Sequence, residues 1–372
     1  MSVEVVGSTS GPREMLRVEG LRVERDGQTH LDVAALSLPQ GETLAVMGPN
    51  GAGKSTLLLV LALLLPPTSG QLWLEGEPVD FASDLTGLRR RLAVVFQESL
   101  LLNMSVEDNV ALGLKLRGER GKAVQDRVRH WLNRFGIDHL ARRSARTLSG
   151  GEAQRTSLAR AFVLAPDVLF LDEPFSALDA PTRAALVEGL GEVIKETGVT
   201  TVFVTHDRDE ALSLGDRLGV MIGGRLLQVG SPEQVFGEPS DPDVARFMGV
   251  ETVVTGRVVG QDEGTITVDV GGVVLESVGP SVEGSEVLVC LRPEDVTLWP
   301  LQMSGRSSAR NHLPGRVTKL APAGAQVRVT LDCGFPLVAL VTRRSAQELG
   351  LAPGQEVVAS FKASAIHLIQ RA

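Results

Sequence analysis

A chain of 372 residues is too long for one ordinary core and calls for two or three domains. With 43% apolar and 22% charged residues it is neither disordered nor composed like a membrane span, and a net charge of −8 excludes a nucleic-acid binder held mainly by phosphate contacts. Its two cysteines, Cys290 and Cys333, lack CxxC spacing, which offers no metal site or disulfide framework and fits a reducing compartment.

Residues 1–14 carry no basic-then-apolar signal pattern and read as a flexible tail. From Leu16 to Met248 short β-rich runs alternate with longer helical ones: 44–47 precede a helix from Lys54, 168–171 a helix from Pro181, and 201–204 a helix from Arg208. The alternation predicts an open α/β sheet with crossover helices over 15–249, interrupted by a helical subdomain at about 98–165. The strongest apolar run, Leu57 to Leu65, is well short of the ~20 residues a membrane span needs and reads as a buried helix. After Gly249 short Val-rich segments separated by Gly, Asp and Pro predict an all-β, OB-like barrel module over 250–372. The module looks duplicated: Gly256-Arg-Val-Val recurs as Gly315-Arg-Val-Thr, and 286–292 as 356–362, giving halves of about 252–301 and 307–371 joined by the polar stretch 302–311.

Three stretches carry chemistry. Gly48-Pro49-Asn50-Gly51-Ala52-Gly53-Lys54-Ser55-Thr56 follows an apolar strand and opens a Leu-rich helix, the setting of a GxxxxGK[ST] phosphate loop. Its amides close around phosphate oxygens, Lys54 reaches the β- and γ-phosphates, and the Ser55 hydroxyl is a Mg²⁺ ligand. The strand 168–171 delivers Asp172 and Glu173 at its carboxyl end, where open α/β sheets bind ligands. There Asp172 holds Mg²⁺ through water and Glu173 polarises the attacking water. Leu148-Ser149-Gly150-Gly151-Glu152 opens another helix, and reads both as a capping box and as a second anion site of free amides.

In this order the phosphate loop, Gln97, Leu148–Arg155, the strand ending in Asp172-Glu173-Pro174, Ser176–Asp179 and His206 resemble the ATPase subunits of ABC transporters over essentially all of 16–248. The resemblance implies an α/β P-loop ATPase that works as a homodimer. Each ATP would lie between one copy's phosphate loop and the other copy's Ser149, Gly150 and Gly151. It implies that Gln97 senses Mg²⁺ and the attacking water, that Asp179 bridges the dimer, and that His206 contacts the γ-phosphate. The partners it implies are a transmembrane permease and an extracytoplasmic substrate-binding protein, with the subunit expected on the cytoplasmic face of the membrane and no nucleic acid expected as a partner. One departure concerns the base: such proteins place an aromatic ring on adenine, whereas this chain has no tyrosine and offers Arg25, whose planar guanidinium can stack.

The β module resembles the transport-associated barrel at Leu291-Arg-Pro-Glu-Asp-Val296. At Ser308-Ala-Arg-Asn311, Gly315-Arg-Val317 and Phe361-Lys-Ala-Ser364 it resembles the oxyanion-binding domain of molybdate and tungstate systems. A dianion needs charge-assisted donors and hydroxyls without a competing carboxylate, and Ser308, Arg310, Thr342, Lys362 and Ser364 are the candidates, acting across two modules. The alternative is that Arg310 and Lys362 are solvated charges on a purely structural barrel. The reading is thus an ATPase energising molybdate or tungstate import, with sulfate, ferric-ion, polyamine or sugar import as alternatives of the same class. A soluble ABC ATPase acting on nucleic acid calls for tandem cassettes or a basic surface, and an oxyanion-responsive regulator calls for a DNA-reading helix pair. The sequence has none of these.

Overall fold

The computed structural model describes residues 13–262, 264–279, 282–301 and 307–370. Most of the expected tail, and residues 302–306 of the polar joint, lie outside the described residues. The chain divides into two compact units, one ending at Pro232 and one beginning at Glu233.

In the first unit β1 (Glu14–Arg25) and β2 (Gln28–Pro39) form a hairpin through Asp26-Gly27, whose φ of +50° and +72° suit a two-residue I′ turn. The wholly buried β3 (Thr43–Met47) leads into α1 (Lys54–Leu61), followed by β4 (Ser69–Leu74), β5 (Glu77–Pro78), α2 (Thr86–Arg89) and β6 (Leu92–Val95). The helical insert comprises α3 (Val106–Leu116), α4 (Lys122–Arg134) and α5 (Gly150–Phe162). Then come β7 (Val168–Asp172), α6 (Ala180–Thr197), β8 (Thr200–Val204), α7 (Arg208–Leu214), β9 (Arg217–Ile222) and β10 (Arg225–Gly230).

These strands make one ten-stranded sheet in the order β5-β4-β1-β2-β10-β9-β3-β8-β7-β6. From β9 to β6 neighbours run parallel, which aligns the carboxyl ends of β3, β8, β7 and β6 along one edge. Parallel strands are covered on both faces, so β3 and β8 are buried at every position and β7 at all but its terminal Asp172, while β1 and β2 show partial alternation. The expected helix over 57–65 is shorter than its apolar run: α1 ends at Leu61 and Leu63 turns to φ +61°. A left-handed leucine is disfavoured, but this one is buried to 1% exposure and its carbonyl accepts from Arg89 Nε at 3.0 Å.

The second unit starts with α8 (Pro232–Gly237) and α9 (Pro242–Phe247), so by contacts it begins well before the expected boundary at 249/250. The reason is local packing. Ala245 and Val250 form a buried cluster with Cys290 and Ile369, and Arg292 donates to the carbonyls of Met248 and Phe236.

Next come β11 (Thr252–Asp262), β12 (Thr265–Val270), β13 (Val273–Val278), β14 (Glu286–Leu291) and β15 (Thr297–Pro300). The second set is β16 (Asn311–Ala323), β17 (Gln326–Asp332), β18 (Pro336–Thr342), α10 (Arg343–Glu348), β19 (Glu356–Phe361) and β20 (His367–Gln370). The register repeats between the two sets: Arg257 faces Asp269 and Glu286, as Arg316 faces Asp332 and Glu356. Yet the halves are interlocked. The two five-stranded antiparallel sheets are β13-β12-β11-β14-β20 and β15-β19-β16-β17-β18, so each half lends its last strand to the other's sheet. Equivalent side chains stitch the sheets together. Thr252 Oγ1 accepts from Val338 N at 3.1 Å, and Asn311 Oδ1 accepts from Glu276 N at 2.8 Å while its Nδ2 donates to Glu276 O at 2.8 Å. Both cysteines are buried and burial pushes each thiol up to about 11.

Candidate nucleotide-binding and hydrolysis site

The turn between β3 and α1 is shaped by close backbone approach. A Cβ on Gly48 would lie 2.1 Å from Met221 O, and one on Gly53 would lie 2.7 Å from His30 O at φ +95°. Only glycine fits either position. Pro49, Asn50, Gly51 and Ala52 complete the loop, and Ser55 and Thr56 follow in the first turn of α1. Lys54 is buried to 6% exposure and its Nζ donates to Gly48 O at 2.8 Å and Pro49 O at 3.0 Å, curling back over the loop. Burial lowers its pKa, while the charges of Glu173 and Asp172 act in the opposite sense.

Across from α1, the end of β7 presents Asp172, whose Oδ1 accepts from Ser55 Oγ at 3.1 Å. Burial pushes its carboxyl above the usual range; the Ser55 hydrogen bond opposes this and the neighbouring Glu173 charge adds to it. Glu173 adopts φ +43°, a left-handed turn that costs a non-glycine residue energy. Its amide donates to Val204 O at 3.0 Å, which fixes the turn against the end of β8. There Glu173 Oε2 lies 3.2 Å from His206 Nδ1. Gln97 is exposed two residues beyond β6, and the parallel register of Val95 with Leu171 carries it out beside the end of β7.

Ser149, Gly150 and Gly151 form a separate group. Ser149 caps α5 in a full capping box with Glu152, whose carboxyl the Ser149 N–H holds below its ordinary range. A Cβ on Gly151 would meet Thr182 Cγ2 at 3.0 Å, and one on Gly150 would meet Ala177 O at 3.7 Å, so this start of α5 sits against the start of α6. Asp179 is the N-cap of α6, accepting from Thr182 N at 3.0 Å and Thr182 Oγ1 at 2.9 Å, and these bonds lower its pKa.

Residues 31–176 match the ABC transporter family and residues 307–368 the TOBE domain. The chain is 41% identical to a molybdate/tungstate import ATP-binding protein of Pyrococcus horikoshii, over 95% of this chain and 99% of that protein. The chain belongs to the ATP-binding subunits of ABC transporters. A sulfate/thiosulfate import ATP-binding protein of Xanthomonas campestris is 36% identical over 91% of this ABC subunit and 99% of that protein. Among solved structures, cbiO1 from Clostridium perfringens, part of an ABC transporter complex, matches 63% of this chain and 94% of its own at 33% identity and a TM-score of 0.57. The ATP-binding cassette MJ0796, a dimer in a post-hydrolysis state bound to ADP and Pi, matches 59% of this chain and 99% of its own at 28% identity and a TM-score of 0.54. The ABC subunit is therefore an ATPase, and among its described residues no helix is long and apolar enough to cross a membrane.

The remaining expected residues of the ABC subunit divide. Arg25 is exposed beside the hairpin turn, where its partner in register is Gln28. His30, absent from the sequence reading, has its backbone against both Gly53 and Gly224; no local pattern signals this, because the approach joins distant segments. In the second unit Asn311 faces Phe361, which brings Ser308 and Arg310 to the same end of the ladder as Lys362 and Ser364. Lys362 and Ser364 line a cavity of about 500 Å³ with Arg292 and His367. One expectation needs correction. Arg310 is not free of carboxylate, since its Nε lies 3.4 Å from Glu276 Oε2. Thr342 pairs with Gln326, which lies opposite Ala323, at the far end of β16, about 40 Å of strand from Asn311 at ~3.3 Å per residue. Its hydroxyl also caps α10 through Ser345 N at 3.0 Å, so within one chain it does not join the others.

Proposed function

We propose that two copies of this subunit close around ATP, hydrolyse it, and so power molybdate or tungstate import. They do so on the cytoplasmic face of a membrane permease fed by an extracytoplasmic binding protein. The observation that carries this reading is the meeting of Glu173 and His206 at 3.2 Å beside Ser55, Asp172 and Lys54. The amides of 48–56 hold the phosphates, and Lys54 swings from the loop carbonyls to the β- and γ-oxygens. The oxygens of Ser55 and Asp172, 3.1 Å apart, would suit a hard cation such as Mg²⁺, held by the Ser55 hydroxyl and, through water, by Asp172, with Gln97 sensing it. The chemistry such an ion would supply is neutralisation of charge on the phosphates. Glu173 takes a proton from the water that attacks the γ-phosphorus, while His206 orients Glu173 and holds the γ-phosphate. Ser149, Gly150 and Gly151 of the second copy add backbone donors, and Asp179 bridges the copies.

Glu173→Gln in the full chain should leave ATP affinity intact and lower phosphate release by roughly 10²–10⁴-fold, with a closed dimer accumulating on gel filtration. Undiminished release would refute the assignment. For the cargo, the likeness to the Pyrococcus horikoshii protein over nearly its whole length supports molybdate or tungstate, and the likeness to the Xanthomonas campestris protein favours sulfate as the second reading. Proteoliposomes holding the complete transporter distinguish the two by which anion stimulates ATP turnover. We also propose that a cytoplasmic oxyanion binds at Lys362 and Ser364 and slows the cycle; calorimetry of the full chain with molybdate tests this, and no heat at millimolar ligand removes it.

A further inference from the structure

Arg183 lies in the first turn of α6, four residues after Asp179. Its guanidinium reaches out of the helix to two loops at once. Nη2 donates to Leu178 O at 3.2 Å, and Nη1 donates to Asp207 Oδ2 at 3.1 Å. Nε is buried without a hydrogen-bond partner and faces Glu210 Oε1 at 3.9 Å. Leu178 precedes Asp179, and Asp207 follows His206, so this one side chain joins the segment before α6 to the segment that carries the histidine.

Both segments are tied to the reacting groups by other bonds. Ser176 Oγ donates to Glu173 O at 3.0 Å, which links the Leu178 side to the turn holding the carboxylate. On the other side Asp207 N donates to Thr205 Oγ1 at 3.0 Å, and Thr205 N donates to Val46 O at 3.1 Å. Thr205 Oγ1 in turn donates to Glu210, whose carboxyl is buried to 5% exposure and raised above the usual range chiefly by that burial. His206 is thus held between two anchored neighbours while its own side chain is 58% exposed. An isolated pair that only strengthened α6 would satisfy all its donors locally. Here Nε makes no hydrogen bond and meets Glu210 only as a loose ion pair at 3.9 Å, longer than the 3.1 and 3.2 Å contacts to Asp207 and Leu178, so the two loop contacts set where the guanidinium sits.

We propose that Arg183 is a positioning residue for ATP hydrolysis: it clamps Leu178–Asp179 to Asp207, so that the placement of Asp179 governs the placement of His206 against Glu173. The inference rests on the reading that Glu173 and His206 carry the chemistry. A planar fork can serve two acceptors in fixed directions, whereas an ammonium is a point donor on a flexible stem. A second copy meeting Asp179 would therefore act on His206 through a single rigid group.

The test uses the full chain, with steady-state ATP turnover, binding of a fluorescent ATP analogue and a thermal melt. Arg183→Ala should lower kcat roughly 10- to 100-fold, the scale on which slight misplacement of reacting groups is felt, with KM and analogue affinity within about threefold of the parent. Arg183→Lys should recover part of kcat. Asp207→Asn keeps a good N-cap but loses the charge, so it should lower kcat in the same direction, and the double variant with Arg183→Ala should be no worse than the single one. Unchanged kcat in Arg183→Ala overturns the proposal. So does a fall in kcat matched by an equal fall in affinity and additive with Asp207→Asn, the signature of general loosening. If Arg183→Ala fails to fold, Arg183→Lys and Asp207→Asn decide the matter. Glu173→Gln separates the two levels: full turnover there sinks the underlying reading, and low turnover there with parental Arg183 variants sinks only this inference.

Discussion

Asn311 is 3% exposed and its amide completes a two-bond exchange with the backbone of Glu276, a residue of the other sheet. Asn311→Ala removes both partners and leaves one N–H and one C=O of β13 unsatisfied. Each such group costs ~1–3 kcal/mol when buried. Glu276 is only half-buried, so water relieves part of that and the expected loss is about 2 kcal/mol. Asn311→Asp is the more discriminating change. It keeps the acceptor for Glu276 N but sets a carboxylate oxygen against Glu276 O, beside the Arg310–Glu276 ion pair at 3.4 Å. The repulsion raises the new acid's folded pKa above its unfolded value of about 3.9. Its stabilising contribution is therefore complete below that unfolded pKa, where the protonated acid donates to Glu276 O, and is lost as pH rises through the folded pKa. Hydrogen exchange of peptides covering 273–278, at pH 5 and pH 8, reads the effect in the second unit without assuming two-state unfolding of the whole chain. Parental protection in Asn311→Ala, or an Asn311→Asp variant that grows more stable with pH, would refute the reasoning.

Gly48→Ala should abolish binding of a fluorescent ATP analogue, because its methyl would lie 2.1 Å from Met221 O and the phosphate loop must move; retained affinity would show the loop to be pliable. Asp172→Asn should raise the melting temperature of the nucleotide-free protein at pH 8. Burial and the Glu173 charge raise the folded pKa of Asp172, so its contribution is complete below the ordinary Asp pKa and lost as pH rises through the raised value. A gain that did not shrink between pH 8 and pH 4 would count against this. Ending the chain after Ser364 removes β20, the outer partner of β14, and should strip exchange protection from 286–291 while ATP-analogue binding persists. Protection at parental level would mean that the exchanged strand is dispensable.

What the sequence determined by itself is the set of features whose cause is local. The phosphate loop needs glycines and a lysine at fixed spacing, and the capping box at Ser149 and Glu152 spans three residues. Parallel strands announce themselves as unbroken apolar runs because both their faces are covered. Each of these can be read in a window of a dozen residues.

Only the tertiary structure decided which distant groups meet. Glu173 reaches His206, Arg183 joins Leu178 to Asp207, and Arg310 finds Glu276 because strand order and register bring them together. The same cause sends Thr342 to the opposite end of β16 from Arg310, although both suit an anion by residue type. Strand exchange was hidden for a related reason: β15 and β20 occupy equivalent places in a repeat, and nothing in either segment says whether it closes its own sheet or its neighbour's. Backbone pairing is chemically uniform, so partners are selected by the packing of whole faces, which no short stretch of sequence contains.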